Sequence, residues 1–414
     1  MKPPTGTDAE RLRGLLDELG DTIEQLLMGG MTTASRATRQ KLDVAFREAS
    51  KRQLSRLAVS LRVVMQQVEH YLAKDPKFSP RRLSMFCNRV WVLARGMANS
   101  MKSDDTERFA HLALDRRLEA VDAIEAVTLG VMKKMLPGVC AFDFHMRVLN
   151  DGALGSPAVY SLVFPLKKGS KIPPEALLEL ALPQKWKPRI LLDGTVITFH
   201  HPTLVHDPSG LRIQTPRDNP KSKAEAGPAF DDWEQLPGWD PALALRRVRE
   251  HEIDPIEIPN ELQELAVFDD WRLSAAREDE NRPRHVYPVH TAGLELDGIA
   301  SSEAEGATLR DNLQRILAGK LPVGHGPGAP KSQTKTKTNS RKRSTQNKTA
   351  RPKASPDPSP PRDPRAGRLF GIVHYETCRL VMHPLSLITQ RGPIHLMVAS
   401  EGVDKKALLK SLKF

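Results

Sequence analysis

Three histidines and an aspartate, His200, His201, His206 and Asp207, fall within eight residues of one another. Imidazole nitrogens with a carboxylate are a donor set for zinc or another divalent ion. The two adjacent histidines end a predicted strand, so their side chains point to opposite faces. Only one of them can then join His206 and Asp207 without a chain reversal. Polar residues at a strand exit are the plainer reading, with His200, His206 and Asp207 kept as the metal candidates. A second arrangement repeats a spacing, Cys140-x4-His145 and Cys378-x4-His383. On extended chain, residues five apart face opposite sides and lie roughly 16 Å apart, whereas zinc holds its ligands ~2.0–2.3 Å from one centre. Neither pair has the tight C-x2-C knuckle, so a structural zinc site is not expected.

Phe230-Asp231-Asp232-Trp233 recurs as Phe268-Asp269-Asp270-Trp271. Paired carboxylates can serve acid–base or metal chemistry, but that needs a pocket wall which this Pro-broken stretch does not supply. Two readings remain. The aspartates cap short helices while Phe and Trp pin the segment to a core, or the eight residues form aromatic–acidic docking sites for a partner.

The formal net charge of +12 suggests nucleic acid until it is located along the chain. Between Lys331 and Arg368 there are 12 Lys and Arg against Asp357 and Asp363, so +10 of the excess lies there. Lys335, Lys337, Arg341, Lys342, Arg343, Lys348 and Arg351 can contact a polyanion by counterion release. With no interleaved aromatic they cannot stack on bases, and a self-repelling spacer is the competing account. The stretch Arg36–Arg62 carries eight basic residues against Asp43 and Glu48, which reads as a charged outer helix face or as a basic stripe. G-x-x-x-x-G-K-[ST], G-x-G-x-x-G after a strand, G-x-S-x-G and H-E-x-x-H do not occur, which disfavours nucleotide-using and standard hydrolytic enzymes.

The elements that must hold these residues begin with helices. Leu12, Leu15, Leu16, Leu19, Ile23 and Leu27 form a stripe stopped by Gly29-Gly30,. Thr32 or Thr33 caps a second helix carrying the seam Leu54, Leu57, Leu61, Val64, Val68 and Tyr71. Ser79-Pro80 starts a third, with Leu83, Phe86, Val90, Leu93 and Met97 inward. Asp104-Asp105 open a fourth, with Phe109, Leu112, Val121, Ile124 and Val131, ending at Leu136-Pro137-Gly138. From Val139 the period becomes two. Val139–Leu149 and Val159–Leu166 predict a hairpin across Asn150-Asp151-Gly152, and Arg189–His200 predicts a strand pair around Asp193-Gly194. Pro173–Leu182 and Leu309–Leu317 read as short helices. From Leu369 to Val381 the chain reads as one long strand, Ile394–Ala399 as another and Asp404–Leu412 as a terminal helix. A tail this short is unstable alone, so it is expected to dock on the strands of Val139–His200.

The runs Met31–Leu42 (MTTASRATRQKL), Phe86–Trp91 (FCNRVW) and Pro137–Phe144 (PGVCAFDF) resemble uncharacterised bacterial proteins associated with SWIM zinc-finger proteins. The likeness spans roughly the first 200 residues. It implies a bacterial accessory protein and no activity. The chain lacks the C-x-C…C-x-H ligands of a SWIM finger, so no zinc site carries over.

The expectation is an α+β protein. An N-terminal antiparallel helical bundle (1–136) precedes a small, mainly antiparallel sheet domain in two parts (137–206 and 367–414). Between them lie an irregular aromatic–acidic arm (207–321) and a long disordered basic linker (322–366). Composition supports the division, with 33 prolines and 39% hydrophobic residues,. Three widely spaced cysteines argue for a reducing compartment,. With neither a signal peptide nor a membrane span visible, the location is read as cytoplasmic. The function expected is that of a non-catalytic adaptor with a protein partner, no cofactor and weak, non-specific nucleic-acid contact through the linker. The alternative is an enzyme with an unrecognised site around His200, His206 and Asp207.

Overall fold

The computed structural model describes residues 5–114, 117–136, 138–149, 156–166, 173–183, 185–207, 210–250, 263–280, 282–326, 367–376 and 379–399. It divides into two compact units, a helical one ending at Arg117 and a sheet-built one beginning at Leu118.

The helical unit contains α1 (Thr7–Gly29), α2 (Arg36–Lys51), α3 (Ser55–Leu72), α4 (Pro80–Lys102) and the short α5 (Thr106–Ala113). The apolar stripes expected from the sequence form its core, although Leu26 rather than Leu27 turns inward on α1. Ser79 caps α4 by accepting from the Arg82 amide. Two expectations are corrected. The long second helix is broken between Lys51 and Ser55, where Gln53 takes a left-handed φ of 57°. Its cap is Ser35, in a capping box with Thr38, rather than Thr32 or Thr33,. The expected fourth helix stops at Ala113, with Asp105 as its cap. Beyond Leu118 the chain is extended, and Ile124 and Val131 lie in a sheet core instead of a bundle. Most basic residues of Arg36–Arg62 have local partners: Arg39 pairs with Glu69, Arg47 with Asp43 (2.7 Å), and Arg62 lies over the Phe46 ring.

The sheet unit holds two sheets. The first runs β1 (Arg117–Ala120), β6 (Thr203–Asp207), β7 (Gly210–Gln214), β4 (Pro157–Pro165), β3 (Val139–Val148), β2 (Ala123–Leu136), β5 (Thr195–His200) and β8 (Lys223–Ala229), in that spatial order. β2–β3, β2–β5, β3–β4, β5–β8 and β6–β7 pair antiparallel, and β4–β7 pair in parallel. The second runs β10 (Trp271–Leu273), β12 (Arg284–Thr291), β13 (Leu294–Ser301), β16 (Arg379–Thr389), β15 (Arg368–Glu376) and β9 (Gln263–Phe268). On it β11 (Arg277–Glu278) pairs with β12, β17 (Gly392–Ala399) with β16, and β14 (Gly324–His325) with β17. Helices α6 (Pro241–Glu250) and α7 (Ala307–Leu317) complete the unit.

The tail therefore pairs elsewhere than expected. β15 bonds to β9, and β16 pairs in parallel with β13, so residues 263–301, read as an irregular arm, supply half of its sheet. Contact with the first sheet is by packing. Val127 and Leu129 of β2 meet Phe370, Ile372, Leu385 and Ile388, and the Ser386 hydroxyl donates to the Leu129 carbonyl. The stretch read as one long strand is the hairpin β15–β16. Arg189–Leu192, read as the first strand of a pair, lies in a 3-10 turn over Pro188–Leu192, since Pro188 fits its start and cannot donate to a ladder,. Pro174–Glu179 is likewise a 3-10 helix, and α7 forms where a helix was expected. Asn150-Asp151-Gly152, Cys378, the basic run Lys335–Arg351 and Asp404–Leu412 lie outside the described residues.

Candidate functional site

The FDDW repeats serve as internal anchors. Trp233 and Trp271 are 1% and 5% exposed, which removes both indoles from any docking surface. Phe230 stands edge-on to Trp233 at 4.8 Å, and Phe268 edge-on to Trp239 at 5.4 Å. Trp271 Nε1 donates to the Gly367 carbonyl (2.9 Å). Arg368 ties the two repeats together. Its Nε donates to Asp269 (2.5 Å), while Nη1 and Nη2 donate to the carbonyls of Trp233 (3.1 Å) and Leu236 (2.7 Å). Asp231, Asp232, Asp269 and Asp270 remain exposed, and Asp232 accepts from the Gln235 amide.

His200 and His206 stand on strands that do not pair with each other. His200 Nε2 faces Glu225 (3.1 Å) and His206 Nε2 faces Glu119 (3.0 Å), so each imidazole has a separate carboxylate. Among the described residues, no three His, Cys, Asp or Glu side chains stand close enough to hold a metal ion. Cys140 points into the first sheet's core and is a buried free thiol, with burial pushing its pKa up to about 12.

Two features of the second sheet were not anticipated. One is a closed ionic cluster. Asp279 accepts from Arg284 and Arg379 (both 2.7 Å), Asp297 from Arg277 and Arg379 (both 2.9 Å), and Glu376 from Arg284 (2.9 and 3.2 Å). Arg282 also pairs with Glu376. Burial alone would raise the Glu376 pKa, but hydrogen bonds from Arg284 and the neighbouring guanidinium charges outweigh it and hold the carboxyl below its usual range,. With every acid doubly paired, the cluster rivets β11, β12, β13, β15 and β16 together.

The other is a groove of about 900 Å³ at the end of the β12–β13 hairpin. Trp271, Leu273, Leu294, Ile316 and Leu317 supply its apolar lining, and Asp270, Arg272, Ser274, His290 and Glu295 its polar lining. Ala292 and Gly293 make the turn with φ of 47° and 76°, the two-residue left-handed form that matches strand twist. The register sets Arg272 opposite His290, and His290 opposite Glu295. Ser274 Oγ lies 2.9 Å from His290 Nε2, and His290 Nδ1 lies 3.7 Å from Glu295. The alternation of His285–Leu296 around Ala-Gly was a readable hairpin signal, but Pro288 inside the strand and the surrounding acidic residues masked it.

The fold and its anchors define a class, an α+β protein with an N-terminal four-helix bundle followed by sheets. Within it, residues 12–106 match the family model of the YehQ four-helical bundle domain. The likeness seen at Met31–Leu42 and Phe86–Trp91 falls inside that bundle match. No curated protein matches the chain. Among solved structures, the chain is similar to one titled "Structure and Conformational Change of a Replication Protein A Heterotrimer Bound to ssDNA", at 9% identity and a TM-score of 0.22. That match covers 48% of this chain and 41% of the other, and at this score it carries no functional argument. No described helix is long and apolar enough to cross a membrane.

Proposed function

We propose that this chain is an interaction protein that docks an acidic amphipathic segment of a protein partner through α6. The observation that carries the reading is the exposure of that helix. None of its described side chains is buried, Leu243 and Leu245 are 38% and 51% exposed, and Arg246, Arg247 and Arg249 surround them. The helix is anchored only lightly: Asp240 accepts from the amides of Ala242 and Leu243, and Arg247 donates to Glu264 (2.9 Å). Leu243 and Leu245, two residues apart, stand on nearly opposite sides of the helix, Leu243 with Arg246 and Arg247 and Leu245 with Arg249,. Each exposed leucine with its arginines complements a partner segment that carries leucine-like anchors framed by carboxylates. The reading assigns no reaction to the chain. Its kinship to SWIM-associated bacterial proteins rests on sequence likeness alone.

The test uses the full chain with a photo-crosslinking residue at position 245. The crosslinked protein, purified and recombined, should bind the wild type stoichiometrically. Binding should fall at least tenfold for Leu243→Glu with Leu245→Glu, with the melting temperature unchanged. Equal binding by the double variant removes α6 as the contact.

A further inference from the structure

The groove beside the β12–β13 hairpin brings together the parts of a nucleophilic site. A serine becomes a nucleophile when a base lies within ~2.6–3.2 Å of its hydroxyl and a third group orients that base. Ser274 and His290 meet the first condition at 2.9 Å. Glu295 faces the other ring nitrogen at 3.7 Å, within ion-pair reach and somewhat beyond a hydrogen bond. Separate backbone constraints hold the three residues in place. The Ser274 amide donates to the Pro288 carbonyl (2.9 Å), fixing the serine against the strand that carries the base. His290 and Glu295 are cross-strand partners locked by the tight turn. All three line the same groove, beside Leu273, Leu294 and Leu317.

We propose that Ser274, His290 and Glu295 form an acyl-transfer site that hydrolyses carboxylic esters with an apolar acyl chain. This goes beyond the docking reading, which concerns a different element. Ser274 Oγ attacks the ester carbonyl carbon as its proton passes to His290 Nε2, and a tetrahedral oxyanion forms. The C–O bond to the alcohol breaks, and the leaving oxygen takes the proton from His290. Water then gives a proton to His290 and attacks the acyl–serine. The acid departs, and Ser274 Oγ recovers the proton. Glu295 is a positioning residue, whose negative charge beside Nδ1 favours the proton there so that Nε2 can accept,. Arg272, opposite His290 in the register and lining the groove, supplies positive charge for the oxyanion,. The apolar wall takes the acyl chain.

The experiment follows hydrolysis of p-nitrophenyl butyrate by the full chain, together with labelling by a fluorophosphonate probe and peptide mapping of the label. Wild type should turn over the ester and carry the label on Ser274. Ser274→Ala and His290→Gln should each lose about 100-fold or more in kcat/KM and lose the label. Both replaced side chains lie in an open groove, and melting curves alongside confirm folding. Glu295→Gln should lower kcat about tenfold with KM unchanged, and Glu295→Asp should recover part of it. The proposal is overturned if Ser274 stays unlabelled, if the ester is not turned over, or if hydrolysis survives in folded Ser274→Ala or His290→Gln.

Discussion

Arg368 shows how much one side chain can organise. Its three donor nitrogens reach the Asp269 carboxylate of one FDDW repeat, the Trp233 carbonyl of the other and the Leu236 carbonyl just beyond it, and the side chain is largely buried. Removal would leave the Trp233 and Leu236 carbonyls short of a partner in a desolvated setting. Hydrogen bonds to a charged group contribute about 1.5–3 kcal/mol each, and the carbonyls can recover part through water. Arg368→Ala should therefore destabilise the sheet unit by about 2–4 kcal/mol, seen as a lower denaturant midpoint in Trp fluorescence. An unchanged midpoint would show that the repeats are held by ring packing alone. The buried histidines make a second expectation. Burial depresses the pKa of His145 and His383 to about 4 and of His395 to about 3, against an ordinary 6.5. Between those values the unfolded chain binds protons that the folded unit refuses. Stability is thus full above pH 6.5 and falls as the pH drops toward 4. His395→Leu should take about 1.4 kcal/mol per pH unit from that slope; a slope identical to wild type would place the acid sensitivity elsewhere.

At the scale of elements, helices with a one-sided stripe were legible because burial demands a period near 3.6, and the stripes of α1, α3 and α4, with shorter buried faces on α2 and α5, form the bundle core,. Residues 118–136 misled for a physical reason. Val121, Ile124 and Val131 fit helical steps, but the intervening Ala126, Val127, Thr128 and Leu129 are buried too, because β2 is covered on both faces,. A strand buried on both sides loses its alternation. The same holds for β15 and β16, whose continuous apolar run concealed a hairpin. The groove residues were missed since Ser274, just past β10 and bonded to the Pro288 carbonyl, is brought to His290 and Glu295 by pairing across strands, which spacing along the chain does not show. Gly130 marks the cost of covering β2 closely. A Cβ there would stand 2.7 Å from Leu385 and Phe370, so the second sheet packs directly on bare backbone. Gly130→Val should cost more than the ~1–3 kcal/mol usual for overpacking, because two rigid sheets cannot separate locally. Thermal unfolding should register it as a drop of several degrees, and a neutral result would mean that the sheets yield.

For the whole molecule, the arrangement of charge and topology sets one expectation that the sequence alone could frame. β14 ends at His325 and β15 begins at Arg368, and both belong to the second sheet. The intervening sequence therefore joins two strands of one sheet. It also carries nearly all of the basic excess, including Lys335, Lys337, Arg341, Lys342, Arg343, Lys348 and Arg351. Closing a connection depends only slowly on its length and hardly on its composition. Replacing residues 327–364 with Gly and Ser of equal number should therefore leave the melting temperature within a degree or two. Polyanion affinity should behave oppositely. Phosphate contacts by Lys and Arg release counterions without reading base edges, so binding should be sequence-blind and steeply salt-dependent. Five to seven contacts to a single strand give a slope of roughly −3.5 to −5 in log K against log salt. A fluorescent oligonucleotide titrated at several salt concentrations should show that slope for the wild type and no binding for the replacement. Retained affinity with the same slope would move the contact to the folded units. There five of the eight basic residues of Arg36–Arg62 are engaged, by Glu69, Glu18, Asp43, Glu48 with Asp8, and the Phe46 ring, so α6, with Arg246 and Arg249 exposed, becomes the surface to neutralise next.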